Sequence, residues 1–193
     1  MRTSLRLGGG AGFAGDRLDA PLHLAEHGAL DYLILECLAE RTIALAQLRR
    51  RQDPSSGYDT RLAERIESLL PILARRGIRL VSNLGAANPL AAADAIVAIA
   101  RRLNIPVKVA AVTGDDVLDV LDLDAPTMET GKPLSHYAPI VSANAYLGAE
   151  ALLPAANAFH TSPANEPLAC SCASASRFRS LRALSLASAT SRP

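Results

Sequence analysis

Three sets of residues in this 193-residue chain are spaced for chemistry. The first is Gly10-x-Gly12-x-x-Gly15, followed at once by Asp16 and Arg17. Glu36 lies about 20 residues further on, which is the spacing of a dinucleotide loop and its ribose-binding carboxylate. Glycines let the backbone approach a pyrophosphate closely. Asp16, however, puts a negative charge near that phosphate, and the following helix starts late. A tight structural turn, or a site for an acyl group or a coenzyme A phosphate, competes with nucleotide binding. The second set is Asn83-x-Gly85-x-x-Asn88. Asn83 can hydrogen-bond a carbonyl or carboxylate, and the amides after Gly85 can hold an anion. Asn88 reads first as a helix cap. The third set is Asp115-Asp116, suited to acid–base work or to a hard cation. Adjacent carboxylates diverge on a helix or strand, so joint ligation needs a loop, and capping a helix N-terminus is the plainer role. Glu36 and Glu40 are rim carboxylates of similar standing.

Other spacings carry less. His23-Leu-Ala-Glu-His27 puts two imidazoles on one helix face and fits an inverted zinc-peptidase string, but Gly28 follows at once and no third ligand stands out. Cys170-x-Cys172 has neither structural-zinc nor redox spacing, and His136 and His160 add no recognised pattern. No metal set is assigned, and no Gly-x-Ser-x-Gly nucleophile elbow is present.

These residues need strand ends and helix starts to bring them together. Gly77 suits the left-handed position past a helix, and Ile78 to Val81 then read as a buried parallel strand. Asn83 to Asn88 lie where that strand ends, which is where open α/β sheets bind ligands. Further strands are expected at Thr3 to Leu7, Asp31 to Glu36 and Val107 to Val112. Helices are expected from Ala20 to Gly28, from Leu38 to Arg51 and from Asp59 or Thr60 onward with a kink or break at Pro71. A further helix starts at Pro89. Leu38, Ile43, Ala44 and Leu48 are read as core contacts. Val117 to Leu121 predicts a short helix, residues 122 to 140 a loop, and Ser142 to Leu153 another helix. The alternation predicts an α/β, three-layer fold with a mostly parallel sheet and a low-complexity tail. Right-handed crossovers put the four strand-end loops on one rim.

The chain is long enough for a real core, and 49% of it is apolar. A formal charge of +1 gives no reason to expect a nucleic-acid partner. No long uninterrupted apolar run predicts a membrane span, and no apolar signal core follows Arg2 and Arg6. The three cysteines form no disulfide framework, and a cytoplasmic location is expected. Residues 1–153 are read as one α/β domain. Residues 154–193 turn Ala-, Ser-, Pro- and Arg-rich and are expected to be disordered or aberrant, with Leu181, Leu184 and Leu186 as material for a short helix.

Taken together, the segments resemble the acyclic terpene utilisation AtuA family, also known as a domain of unknown function, DUF1446. The resemblance is carried by Gly10-Ala-Gly-Phe-Ala-Gly-Asp-Arg17, Asp31-Tyr-Leu33, Leu38-Ala-Glu-Arg-Thr42 and Gly77-Ile-Arg-Leu-Val-Ser-Asn83. Asn88-Pro89, Gly114-Asp-Asp116 and Ser142-Ala-Asn-Ala-Tyr-Leu-Gly148 complete it. It covers roughly residues 5 to 150 in consistent order. It implies a role near acyclic terpene or branched acyl-CoA catabolism and brings no settled catalytic residue. The family continues after Gly148 towards a Thr-Gly-Arg motif that does not follow here, which implies a truncated or frame-shifted product or a wrongly joined exon.

The reading that follows is binding or conversion of an acyl-CoA-linked acyclic terpenoid or branched acid, by hydratase- or lyase-like chemistry. Asn83 would orient a carbonyl, and Asp115 or Asp116 would exchange a proton. Gly10, Gly12, Gly15, Asp16, Arg17, Glu40, Gly85, Asn88, Asn144 and Tyr146 would form a ligand rim. The alternatives are an NAD(P)-binding oxidoreductase and a non-catalytic family fragment. The residues do not decide whether the chain is an enzyme, and they name no cofactor. The partners expected are an acyl-CoA-like small molecule, with a homo-oligomer left open, and neither nucleic acid nor a membrane.

Overall fold

The computed structural model describes residues 4–137, 139–154, 168–172 and 181–185. The chain alternates strand and helix: β1 (Leu7–Ala11), α1 (Asp19–His27), β2 (Tyr32–Leu35), α2 (Glu40–Gln52), α3 (Leu62–Arg76), β3 (Arg79–Ser82), α4 (Pro89–Arg102) and β4 (Lys108–Val112). Two further strands follow, β5 (Leu168–Cys172) and β6 (Leu181–Ser185). The sheet order is β1-β2-β3-β5-β4-β6. All pairs are parallel except β4 with β6, which is antiparallel. This is an α/β fold with a parallel sheet and surrounding helices, and the carboxyl ends of β1 to β4 share one rim. No helix among the described residues is long and apolar enough to cross a membrane.

The period of two along the strands selects the core face. Leu33 and Leu35 of β2 and Leu80 of β3 are buried, whereas Tyr32, Arg79 and Val81 are half-buried and Ile34 is exposed. Leu62, Ile66, Leu69, Leu70 and Leu73 of α3 meet that face, as do Ala92, Ala93 and Ile96 of α4. Full burial of each such leucine or isoleucine stabilises by about 1.5–3 kcal/mol. Gly77 ends α3 as expected, with φ 67°. The N–H of Ile78 reaches Leu73 O at 3.0 Å and that of Gly77 reaches Ala74 O at 3.4 Å, the two bonds of a Schellman ending.

Several expectations are corrected. The first strand is Leu7–Ala11, not Thr3 to Leu7, so Gly10 belongs to the strand rather than to a loop. Two of its glycines, Gly8 and Gly10, are explained by close packing: a Cβ on Gly10 would lie 2.8 Å from Pro21 Cβ and 2.9 Å from Leu35 Cδ2. α3 starts at Leu62, after Asp59 Oδ1 has accepted the Arg61 N–H at 2.7 Å. The helix runs through Pro71 without a break. Leu48 is exposed rather than core. Val117 to Leu121 contributes one 3-10 turn, Leu118–Val120.

Ser142 to Leu153 is not a helix but extended chain ending in a 3-10 turn, Ala149–Leu152. Its backbone bonds are made elsewhere: Val117 N–H donates to Ala143 O and Ala145 N–H to Asp115 O. In the Ala/Ser-rich tail, Leu181–Ser185 forms a strand paired to β4 rather than a short helix. Cys170 and Cys172 lie in β5. Most of the tail, including His160, lies outside the described residues.

Candidate functional site

A cleft of about 380 Å³ opens at the carboxyl ends of β2 and β3. Glu36, Asn83, Glu40, Asn144, Tyr146 and Ser142 supply its polar lining; Leu38, Ala39 and Ile43 supply the apolar part. Leu38 and Ile43 also pack against a small buried cluster of Ala46, Ala86 and Ala87 that seats α2 beside the rim. The volume falls near the lower end of small-molecule sites.

The polar groups are fixed in sequence. Glu36 follows the last residue of β2, and its Oε1 accepts the Leu38 N–H at 3.0 Å. Asn83 follows β3 in the same way. Its Oδ1 accepts the Cys37 N–H at 2.6 Å, and its Nδ2 donates to Glu36 Oε1 at 2.8 Å. Asn83 therefore clamps two strand ends and orients Glu36. Glu40 opens α2, where a carboxylate is favoured by the helix dipole. Tyr146 OH donates to Glu40 Oε1 at 3.0 Å. Glu40 is held below the ordinary carboxylate range by its own backbone N–H and by the tyrosine, and the same bond raises the phenol of Tyr146.

Asp115 and Asp116 separate. Asp115 is only 4% exposed; its Oδ2 accepts from Asn144 Nδ2 at 2.9 Å, and burial pushes its carboxyl up. It thereby sets the Asn144 amide at the cleft wall, where Asn144 Oδ1 is buried with no partner among the described residues. Asp116 turns the other way. Its Oδ2 accepts from Gln47 Nε2 at 3.2 Å and from Arg50 Nη1 at 3.3 Å, tying α2 to the end of β4.

The remaining residues of the expected rim do not line this cleft. Asn88 caps α4 through the Ala91 N–H at 3.3 Å, and its Nδ2 donates to Pro54 O at 2.9 Å and Ser56 O at 2.8 Å. The amides after Gly85 are occupied: those of Ala86, Ala87 and Asn88 donate to carbonyls of Asn83, Gly57 and Gly85. Ala86 takes φ 43°, a left-handed conformation costing about 1–2 kcal/mol, which these bonds hold in place. In the glycine loop, the N–H groups of Gly12 and Arg17 both donate to the Asp16 carboxylate at 2.9 Å. A dinucleotide reading would place a phosphate there. Arg17 pairs with Asp19, and Gly10 and Gly15 lie against Leu35 and Phe13.

Residue types alone missed Ser142 and the lining role of Leu38, Ala39 and Ile43. Ser142 heads the motif that contains Asn144 and Tyr146, and that proximity was the available signal. His23 and His27 lie side by side on the outer side of α1, with ring centroids 4.5 Å apart and ring planes tilted by 46°. No group of three or more His, Cys, Asp or Glu suited to a metal occurs among the described residues.

Comparison with known proteins agrees with the order of these motifs. The sequence model described as "Acyclic terpene utilisation family protein AtuA" matches residues 5–158. No curated protein and no solved structure matches the chain. The match spans most of the chain, including every residue of the cleft, and the protein belongs to the acyclic terpene utilisation AtuA family.

Proposed function

We propose that the cleft takes the acyl portion of a coenzyme A-linked acyclic terpenoid or branched acid, and that Glu40 and Tyr146 move the proton in a hydratase- or lyase-type step. The observation that carries this reading is the 3.0 Å Glu40–Tyr146 hydrogen bond at the mouth of a cleft lined by Leu38, Ala39 and Ile43. An apolar lining suits a hydrocarbon chain, and a few convergent polar groups fix its orientation.

In a hydration, Glu40 takes a proton from water as the water oxygen bonds to the β-carbon of an unsaturated acyl group. Tyr146 delivers its proton to the α-carbon, and the protonated Glu40 returns one to the phenolate. Both groups end as they began and one water has been added; elimination is the reverse. Glu40 stays ionised and Tyr146 stays protonated near neutral pH, the starting states these roles need; both shifts run away from neutrality, so positioning rather than pKa matching has to supply the rate. The second Nδ2 hydrogen of Asn144, whose other is donated to Asp115, would take the acyl carbonyl, and Asn83 holds Glu36. This changes the part played by the aspartates: Asp115 positions, and Asp116 anchors α2.

Calorimetry with a 3-methyl-branched enoyl-CoA, followed by a turnover assay, tests the reading. The expected result is saturable heat in the parent chain, with binding kept and turnover reduced about 100-fold or more in Glu40→Gln. A folded sample that gives no heat with any branched acyl-CoA overturns it.

A further inference from the structure

Arg65 is fully buried at 0% exposure, yet its Nε and Nη1 have no hydrogen-bond partner among the described residues. A buried guanidinium with open donors is costly, so a native arginine in this state calls for an explanation. Its third nitrogen, Nη2, donates to Ala14 O at 2.9 Å and to Asp16 O at 3.3 Å. Arg61 Nη1 adds a bond to Asp16 O at 2.9 Å. Two arginines at the start of α3 thus hold the glycine loop down by its carbonyl groups.

The other side of that loop is already an oxyanion cradle. The N–H groups of Gly12 and Arg17 converge, and the carboxylate of Asp16 fills the space between them. Those two amides hold Asp16 below its ordinary value, with smaller help from the charges of Arg65 and Arg17. Cys37 and Asp59 are the other groups that feel the charge of Arg65. The buried Cys37 thiol is pushed up to about 11 and stays neutral, and burial raises the Asp59 carboxyl. Paired backbone amides with a forked guanidinium suit a phosphate or a carboxylate.

We propose that the Gly12–Arg17 loop is an oxyanion site held shut by its own Asp16, with Arg65 as the buried cation, and that a phosphate or carboxylate group of a small ligand displaces Asp16. Lifting the loop frees Nη2 and brings the open Nε and Nη1 donors to the incoming oxygens. Gly12 has no heavy atom near its missing Cβ, so the backbone there has room to move. None of its residues lines the cleft, and it does not rest on the reading of the cleft.

The chain has no Trp, and Phe13 on this loop is 59% exposed, so Phe13→Trp installs a single reporter. The full chain carrying it is titrated with inorganic phosphate, acetate and coenzyme A at constant ionic strength, with chloride as the control. The expected result is a saturable fluorescence change with at least one oxyanion and none with chloride. Adding Asp16→Asn should tighten that binding about tenfold by removing the competing carboxylate, and adding Arg65→Lys should weaken it about tenfold. A response to phosphate and coenzyme A alone assigns a phosphate ligand; a response to acetate assigns a carboxylate. If circular dichroism finds Arg65→Lys unfolded, the change at half-buried Asp16, Asp16→Asn, decides alone. The proposal is overturned if no oxyanion gives a saturable signal with or without Asp16→Asn, or if Asp16→Asn leaves binding unchanged or weaker.

Discussion

Adding one methyl group to Gly10 should destabilise the protein, and adding it to neighbouring Gly9 should not. At Gly10 the new Cβ would meet Pro21 Cβ at 2.8 Å, Leu35 Cδ2 at 2.9 Å and Leu33 Cδ1 at 3.0 Å. None of these neighbours can yield easily. Pro21 is a ring on α1, and Leu33 and Leu35 are 0% and 1% exposed in the core. Overpacking of this kind costs about 1–3 kcal/mol. At Gly9 the strand faces outward and no heavy atom lies within 4 Å of the built Cβ. Alanine there relieves chain entropy, worth about 0.5–1 kcal/mol in a strand interior. Urea unfolding of the two single variants checks the pair. With a slope of about 2 kcal/mol/M, Gly10→Ala should lower the midpoint by about 1 M, and Gly9→Ala should leave it unchanged or raise it slightly. Equal shifts, or a more stable Gly10→Ala, would refute the packing account. They would also return the first glycines to a role in approaching a ligand.

Asp115 should carry a pH signature. Burial raises its folded carboxyl above the ordinary 3.8, so its contribution to stability is full below that value and is lost as pH rises through the folded pKa. The stability of the parent relative to Asp115→Asn should therefore fall between about pH 4 and neutrality, and a difference flat across that range would contradict the assignment. Asn88→Ala removes a helix cap and leaves the Pro54 and Ser56 carbonyls without its amide, so it should cost about 1–2 kcal/mol in thermal or urea unfolding. A loss below about 0.5 kcal/mol would mean the cap is not stabilising.

What the sequence made legible follows the range over which each force acts. β2, β3 and β4 are short apolar runs whose character is local, and they sit close to where the hydropathy pattern puts them. Gly77 and Asn88 act within a few residues of themselves, so their roles as helix ending and helix cap could be read directly. β1 could not, because the glycines of Leu7–Ala11 argue against a strand until α1 is known to press on it. Ser142 to Leu153 has helical composition, yet its bonds go to Asp115 and Val117, partners that local pattern does not reveal. The site behaves likewise. Asn83 was visible as a polar residue after a strand, but its contact with Glu36 spans 47 positions and that of Glu40 with Tyr146 spans 106. The expectation of one shared rim was sound as topology. Within it the groups divide: Glu40, Asn83, Asn144 and Tyr146 line the cleft, Asp116 anchors α2, and Asp16 closes its own loop.

The most direct test of the cleft as the ligand site is a crystal structure of the chain soaked with a 3-methyl-branched enoyl-CoA. The account predicts acyl density against Leu38 and Ile43, with the carbonyl near Asn144 and the double bond between Glu40 and Tyr146. An acyl chain bound elsewhere, with this cleft holding only solvent, would contradict it.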